Sequence, residues 1–283
     1  MRRITTLLAL LFAAMMSAQA QSEVKECSLK SEILGVEKKF SIYLPDGYSK
    51  SGEKYPVLYL LHGAKGTHFS WLEQKRGNMK EIVDAEIASG RCKKMIVVMP
   101  NASGCDGRGA GKYMGYFNVR GWNYEDFFFA EFIPHIDKTF NTIASKEGRA
   151  ISGLSMGGGG AVVYAQRHPE IFNAAYSTSG LLDHRYRPTI PDYYDVDWLY
   201  SVAQTSPVEF LRNAPAETIE KLRSVRWMLD CGDDDKIIFT NIRFFEEMHR
   251  EKVPVEMRVR DGKHEWSFWR ESLPIILRFS FEN

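Results

Sequence analysis

The stretch Ile151-Ser152-Gly153-Leu154-Ser155-Met156-Gly157-Gly158 decides the fold of this chain. A short apolar run predicts a buried strand over Arg149–Ser152, and apolar residues at helical spacing predict a helix over Gly157–Arg167. A serine at such a strand-to-helix turn is pushed out above the sheet, so its neighbours must be small. The context therefore predicts that Ser155 is a nucleophile. A plain glycine-rich turn is the alternative.

The flanking sequence alternates between short apolar runs and helical patterns, which is typical of a parallel sheet covered by helices on both faces. The chain is therefore predicted to be an α/β protein with a mostly parallel, doubly wound sheet, in a single domain over residues 21–283. The predicted strands are Lys39–Leu44, Pro56–Leu61, Met95–Met99, Arg149–Ser152, Ala174–Ser179, Val225–Cys231 and Val255–Val259. The predicted helices are Met79–Ala88, Glu125–Phe140, Gly157–Arg167, Asn241–Arg250 and Phe268–Phe281.

The first twenty residues have the layout of a secretory signal peptide. Arg2 and Arg3 precede an apolar run over Leu7–Met16, and Ala18-Gln19-Ala20 forms a small-residue cleavage site. The apolar run is shorter than the roughly 20 residues that a spanning helix needs. We therefore expect cleavage after Ala20, a mature chain without a membrane span, and a secreted or periplasmic protein.

Composition narrows the classes of partner. The formal net charge is +1 over 283 residues, which argues against a nucleic-acid partner because such binding needs concentrated basic charge.

The four cysteines are Cys27, Cys92, Cys105 and Cys231. In an oxidising compartment they allow one or two disulfides. Cys231 ends an apolar strand, so a buried free thiol is as plausible there as a bridge.

A serine nucleophile needs a base to take its proton and an acid to orient that base. His264 follows the last predicted strand and precedes the C-terminal helix, so it is the candidate base. The candidate acids end the strand over Val225–Cys231, in Asp230-Cys231-Gly232-Asp233-Asp234-Asp235. Asp235 is best placed to reach across from the loop, and Asp233 and Asp234 stay open as alternatives. A carboxylate cluster for calcium is disfavoured because the ligand spacing of a calcium loop is missing.

The oxyanion of an acyl-transfer intermediate needs two backbone donors. Met156, directly after the nucleophile, is expected to supply one amide. The loop His62-Gly63-Ala64-Lys65-Gly66 is expected to supply the other from Ala64. No cysteine pair has zinc spacing and no lysine-bearing glycine loop is present, so neither a metal nor a cofactor is predicted.

Two long segments interrupt the alternation, Asn101–Trp122 and Leu181–Leu211. Long loops in compact domains are usually functional or disordered, and the aromatic content of these two argues against disorder. We expect them to form walls of the substrate site, with ordinary surface packing as the alternative. The candidate substrate-binding residues are Tyr113, Tyr116, Tyr193, Tyr194, Trp198 and, beyond the base, Trp266.

Six blocks occur in an order that resembles the esterase D-like α/β hydrolases, which include the feruloyl and acetylxylan esterases of carbohydrate esterase family one. The blocks are Tyr43-Leu44-Pro45, Tyr59-Leu60-Leu61-His62-Gly63, Glu131-Phe132-Ile133-Pro134, Gly153-Leu154-Ser155-Met156-Gly157-Gly158, Cys231-Gly232-Asp233-Asp234-Asp235 and His264-Glu265-Trp266-Ser267-Phe268-Trp269.

The resemblance implies an α/β-hydrolase fold and a serine carboxylic-ester hydrolase with an acyl-enzyme. It assigns the acid to Asp235, and it implies that Trp266 lies in the cleft and Trp269 packs the helix. The expected substrate is a small-molecule or oligosaccharide ester, with a feruloyl or acetyl group on a plant polysaccharide favoured. Mycolyl-transferase-like acyl transfer, siderophore-esterase-like hydrolysis and S-formylglutathione hydrolysis are the alternatives, and the signal peptide disfavours the last. A further alternative, which is not an enzyme, is a carbohydrate-binding protein on a hydrolase scaffold that has lost catalysis.

Overall fold

An eight-stranded sheet forms the centre of the molecule in the computed structural model, which describes residues 22–103, 115–184 and 202–282. The strands are β1 (Glu23–Ser31), β2 (Val36–Leu44), β3 (Val57–Leu61), β4 (Ile96–Pro100), β7 (Arg149–Leu154), β8 (Ala174–Thr178), β9 (Arg226–Gly232) and β10 (Glu256–Arg260). A separate two-stranded ribbon joins β5 (Asn118–Val119) to β6 (Trp122–Asn123).

The strand order is β1-β2-β4-β3-β7-β8-β9-β10. β1 and β2 pair antiparallel, as do β2 and β4, and every later neighbouring pair is parallel. The carboxyl ends of β3, β7, β8, β9 and β10 therefore meet at one edge of the sheet, which is where such sheets bind ligands. The predicted parallel α/β-hydrolase sheet is confirmed.

Nine α-helices occur in the described residues: α1 (Tyr48–Ser51), α2 (Met79–Ala88), α3 (Tyr124–Phe127), α4 (Ile133–Thr139), α5 (Met156–Arg167), α6 (Pro207–Asn213), α7 (Ala216–Leu222), α8 (Ile238–Arg250) and α9 (Trp266–Ser280). A π-helical turn, Phe128–Phe132, joins α3 to α4, and a short 3-10 turn, Lys146–Gly148, precedes β7. The single helix predicted over Glu125–Phe140 is thus three segments. The predicted loop over Leu181–Leu211 was wrong at its end, where α6 begins at Pro207.

Apolar side chains lie on both faces of the sheet. In β3, Val57, Tyr59 and Leu61 belong to one buried cluster, and Leu58 and Leu60 belong to a second. Because successive strand residues point to opposite faces, a strand buried on both sides reads as a continuous apolar run. α2 and α9 contribute to the second cluster, and α5 packs on β7 and β8. Helices therefore cover both faces of the sheet.

Residues 1–21, where the predicted signal peptide falls, lie outside the described residues, as do Cys105, Tyr113 and the predicted substrate residues Tyr193, Tyr194 and Trp198. Across residues 22–103, 115–184 and 202–282, no helix has the length and apolar character needed to cross a membrane. Cys27, Cys92 and Cys231 carry free thiols, and Cys231 is buried.

Candidate active site

The predicted nucleophile lies on a strained turn between β7 and α5. Ser155 has φ +53° and ψ −116°, a backbone conformation that side chains rarely adopt. A Cβ atom on Gly153 would lie 2.5 Å from the carbonyl of Gly157, and one on Gly157 would lie 2.6 Å from the carbonyl oxygen of His62. The two glycines therefore allow the close approach of strand, helix and the loop after β3, as the sequence predicted.

Three side chains from separate strand ends form one hydrogen-bonded line. His264 Nε2 lies 2.9 Å from Ser155 Oγ, and His264 Nδ1 lies 2.8 Å from Asp235 Oδ2. An ionised carboxylate only accepts, so Nδ1 donates to Asp235 and Nε2 accepts from the Ser155 hydroxyl. Ser155 follows β7, Asp235 follows β9 and His264 follows β10.

The carboxylate of Asp235 is enclosed, with 2% of its surface exposed. Burial alone would raise its pKa, but the contacts to His264, the amide of Ile237 at 3.0 Å and the Ser179 hydroxyl outweigh it and lower the pKa below its usual value. Asp235 therefore remains ionised at neutral pH and can hold the proton of Nδ1.

Two other aspartates of this turn, Asp230 and Asp233, have different partners. Asp233 Oδ1 accepts from the amides of Asp234 and Gly262, which ties the two loops together. Asp230 is fully buried and receives Arg260 at 3.1 and 2.9 Å and the Tyr176 hydroxyl at 3.0 Å. The geometry thus places Asp235, rather than Asp233 or Asp234, against His264.

The loop after β3 lies beside the nucleophile. A Cβ atom built on Gly63 would lie 3.5 Å from Ser155 Cβ, and Ala64 and Met156 line one pocket together with Ser155. His62 fixes this loop: its Nδ1 lies 2.8 Å from the Gly63 carbonyl oxygen, so it donates there, and its Nε2 accepts from the Ala102 amide at 3.0 Å. Burial lowers the pKa of His62 to about 4, which keeps the ring neutral.

The pocket in front of Ser155 is mostly apolar and aromatic. It is lined by Ala64, Gly115, Tyr116, Phe117, Ser155, Met156, Gly159, Leu181, His184 and Val202. Tyr116 is a predicted substrate residue. It is buried and donates from its hydroxyl to the His62 carbonyl oxygen at 2.9 Å. Gly115 belongs to the predicted wall segment Asn101–Trp122, and Val202 belongs to the segment Leu181–Leu211. Both predicted wall segments therefore contribute described residues to this pocket.

Trp266 is not among the residues that line this pocket. Its ring packs edge-on against Trp71 and Trp269, with centroids 5.4 and 5.3 Å apart. Its contact with substrate stays a prediction.

Among the described residues, no group of three or more His, Cys, Asp or Glu side chains could hold a metal ion.

Residues 31–280 match the model of the esterase family. The chain belongs to the esterase family. Its match to a solved ferulic acid esterase has 39% sequence identity and a TM-score of 0.85, and covers 92% of this chain and 98% of that one. Family and fold together identify the matched region as a carboxylic ester hydrolase of the α/β-hydrolase fold.

Two curated proteins match about half of this chain. An endo-1,4-beta-xylanase/feruloyl esterase of Xylanibacter ruminicola is 38% identical over 153 residues, which is 53% of this chain and 20% of that protein. An esterase of Mycobacterium tuberculosis is 39% identical over 142 residues, 50% of this chain and 28% of that protein. The matches therefore span less than a third of the length of these relatives. A ferulic acid esterase from Anaeromyces mucronatus, solved in complex with ferulic acid, shares the fold at 19% identity and a TM-score of 0.68, covering 92% of this chain and 91% of that one.

Proposed function

We propose that this protein hydrolyses carboxylic esters through an acyl-enzyme on Ser155, with His264 as general base and Asp235 as its orienting acid. The observation that carries the proposal is the unbroken line from Ser155 Oγ through both ring nitrogens of His264 to the Asp235 carboxylate. That line supplies a proton acceptor at hydrogen-bond distance, which a serine hydroxyl needs in order to attack at neutral pH.

The proposed reaction has two matched halves. His264 Nε2 takes the Ser155 proton as Oγ bonds to the ester carbonyl carbon, and the oxyanion faces the amides of Ala64 and Met156. The intermediate collapses as the ester C–O bond breaks, and Nε2 returns the proton to the departing alcohol. Water then repeats the sequence on the acyl-enzyme, which releases the acid and restores Ser155.

The substrate is proposed to be a feruloyl or acetyl ester of a plant polysaccharide or oligosaccharide. Tyr116, Phe117 and Leu181 give the pocket the apolar, flat surfaces that suit a ring-bearing acyl group. The 39% identical solved structure is a ferulic acid esterase and the Xylanibacter ruminicola relative is an endo-1,4-beta-xylanase/feruloyl esterase, which supports the same class. We further propose that residues 1–20 direct secretion. The N-terminal sequence of the exported protein tests this, and a start other than Gln21 contradicts cleavage after Ala20.

Ser155→Ala is expected to abolish hydrolysis of an aryl acetate and labelling by a fluorophosphonate. Ser89→Ala is the matched control, because Ser89 is exposed after α2 and donates to a backbone carbonyl. Equal turnover by the Ser155 variant and the wild type would refute the mechanism, and absence of labelling in the wild type would favour a binding protein. Hydrolysis rates on methyl ferulate and on acetylated xylan then show whether the enzyme prefers a feruloyl or an acetyl ester. Transfer products in excess of free acid would replace hydrolysis with acyl transfer.

A further inference from the structure

Ser179 is a buried serine with an unusual backbone at the site edge of the sheet. It follows β8, the strand between β7 and β9, and none of its surface is exposed. Its φ is +49°, in the left-handed region that side chains avoid, and its amide donates to the Asp230 carbonyl oxygen at 2.7 Å. A strained residue is retained when surrounding contacts hold it, and such residues concentrate at functional sites.

The hydroxyl oxygen of Ser179 accepts a hydrogen bond from a tryptophan. Trp269 Nε1 lies 3.0 Å from Ser179 Oγ, and an indole N–H only donates, so Oγ accepts this bond. The hydroxyl proton is then not used by Trp269, and the Ser179 side chain contributes to lowering the pKa of two neighbouring groups, the Asp235 carboxylate and the Cys231 thiol. A carboxylate is a far stronger acceptor than a thiol, which favours Asp235 as the group that the hydroxyl proton serves.

Trp269 also contacts the base directly. Its ring packs edge-to-face on the His264 imidazole, with centroids 5.0 Å apart and planes at 90°. Trp266 and Phe268 flank it on the same helix, and Trp269 itself is 7% exposed. One side chain of α9 therefore packs on the imidazole of His264 and also holds the Ser179 hydroxyl by a hydrogen bond.

We propose that Trp269 and Ser179 are positioning residues for the triad, with Trp269 orienting the Ser179 hydroxyl toward Asp235 and bracing the ring of His264. The inference rests on the proposed function of Ser155, His264 and Asp235. It assigns a role to one residue after each of four adjacent strands: Ser155 after β7, Ser179 after β8, Asp235 after β9 and His264 after β10.

Two variants remove the hydrogen bond between Trp269 and Ser179, each from one side. Trp269→Phe keeps a ring against His264 but removes the N–H donor. Ser179→Gly removes the hydroxyl, and glycine adopts a positive φ without strain, so backbone strain does not contribute to a loss of activity. Because the buried Trp269 N–H loses its acceptor in this variant, its free energy of unfolding is measured beside its activity. Trp227→Phe is the matched control, because Trp227 is a buried indole that donates to the Leu222 carbonyl oxygen at 2.9 Å in another part of the molecule.

For an aryl ester, kcat is expected to fall about tenfold in Trp269→Phe and in Ser179→Gly, with KM within about twofold, because a hydrogen bond to a charged group is lost. The acidic limb of the kcat/KM profile is expected to move up by roughly half a pH unit. A carboxylate with one donor fewer holds the imidazolium proton more tightly. Trp227→Phe is expected to leave both kcat and the acidic limb of the kcat/KM pH profile at their wild-type values.

The low-field NMR resonance of the His264 Nδ1 proton gives a readout that does not require turnover. In an otherwise inactive Ser155→Ala background, Ser179→Gly and Trp269→Phe are expected to shift this resonance, and Trp227→Phe is not. An unmoved resonance, or a kcat and acidic limb equal to those of the control, would overturn the positioning role. Failure of the esterase proposal would instead appear as a wild type without Ser155-dependent turnover, while the resonance test still stands.

Discussion

At the residue scale, the environment of Asp235 determines which tautomer of His264 is present. The side chain receives Nδ1 at 2.8 Å and the Ile237 amide at 3.0 Å, and its lowered pKa keeps it a pure acceptor at neutral pH. An amide in its place can present a donor to Nδ1, which would move the imidazole proton to Nε2. The base would then have no lone pair for Ser155.

Asp235→Asn is therefore expected to lower kcat by about 10⁴-fold at neutral pH with the fold intact, the loss reported for the equivalent change in a serine protease triad. Steady-state hydrolysis of an aryl acetate measures it. Asp233→Asn is the control, since Asp233 accepts from the amides of Asp234 and Gly262 and an asparagine oxygen can still do so. Similar losses in the two variants would show that the turn matters rather than the carboxylate on His264.

Spacing along the chain was enough to predict that Ser155, His264 and an aspartate of the turn after β9 would meet, because each follows a strand and the strands are parallel. The choice of Asp235 over Asp233 and Asp234 was strengthened by the family resemblance. Ser179 was not found from the sequence. It stands in Tyr176-Ser177-Thr178-Ser179-Gly180, where nothing separates one hydroxyl from the next. Trp269 was assigned to packing alone, since the direction of an indole N–H depends on what the tertiary structure places beside it.

At the element scale, one buried carboxylate ties the helices on the second face of the sheet. Glu86 of α2 is 4% exposed and receives Arg278 of α9 at 2.8 and 3.1 Å and Arg91 at 2.9 to 3.2 Å. Hydrogen bonds from Arg278 and then Arg91 outweigh desolvation and lower the pKa of Glu86 to about 2. α9 carries Trp269, so this tie also helps to hold the His264 side of the site.

Glu86→Gln is expected to reduce the free energy of unfolding by about 2 kcal/mol at pH 7. A lowered native pKa means that the ionised carboxylate stabilises the fold above its unfolded value of 4.5, and that this contribution is lost as pH falls toward about 2. Urea unfolding at pH 7 and pH 3 tests both points, and the gap between variant and wild type should narrow at pH 3.

Glu217→Gln is the control for this tie, because Glu217 pairs with Lys221 on the exposed face of α7 and has 80% of its side chain exposed. Such a pair contributes under about 1 kcal/mol. If the two glutamine variants lose the same stability, the buried tie has no special role.

Element boundaries were predicted well where both faces of a strand are apolar, as in β3, β4 and β8. β1 was missed because it is an edge strand of mostly polar or charged residues that are exposed or half-buried, and such a strand carries little apolar signal. The π-helical turn at Phe128–Phe132 was also missed, since its aromatic residues fit an ordinary helical period. In the structure the rings of Phe128 and Phe129 contact Tyr59, Tyr164 and Phe172, which are distant in sequence.

At the scale of the whole molecule, His62 links acid stability to the site. Desolvation lowers its native pKa to about 4 from the model-peptide value of 6.5. Below pH 6.5 the imidazole is protonated in the unfolded chain but stays neutral in the native protein. The contribution of His62 to the free energy of unfolding is therefore fully present above pH 6.5 and is lost progressively as pH falls to about 4. The loss from this group is at most about 3 kcal/mol.

His62→Gln is expected to flatten the pH dependence of unfolding free energy between pH 6.5 and 4, while lowering stability at pH 7.5 through poorer packing. Denaturant titrations across this range measure the slope. His249→Gln changes an exposed ring on α8 and is expected to leave the wild-type slope. An unchanged slope in the His62 variant would mean that other groups govern acid unfolding.

The alignment of Ser155, Ser179, Asp235 and His264 along four adjacent strand ends has a consequence for engineering. All the groups proposed for chemistry lie at one rim of the sheet, whereas the connection between α8 and β10, with Lys252 at φ +55°, lies at the opposite rim. A tether, a fused carbohydrate-binding module or new chain termini introduced at that turn would be separated from the reacting atoms by the length of a strand. Immobilised or permuted forms of the enzyme should thus be obtainable without redesigning its chemistry.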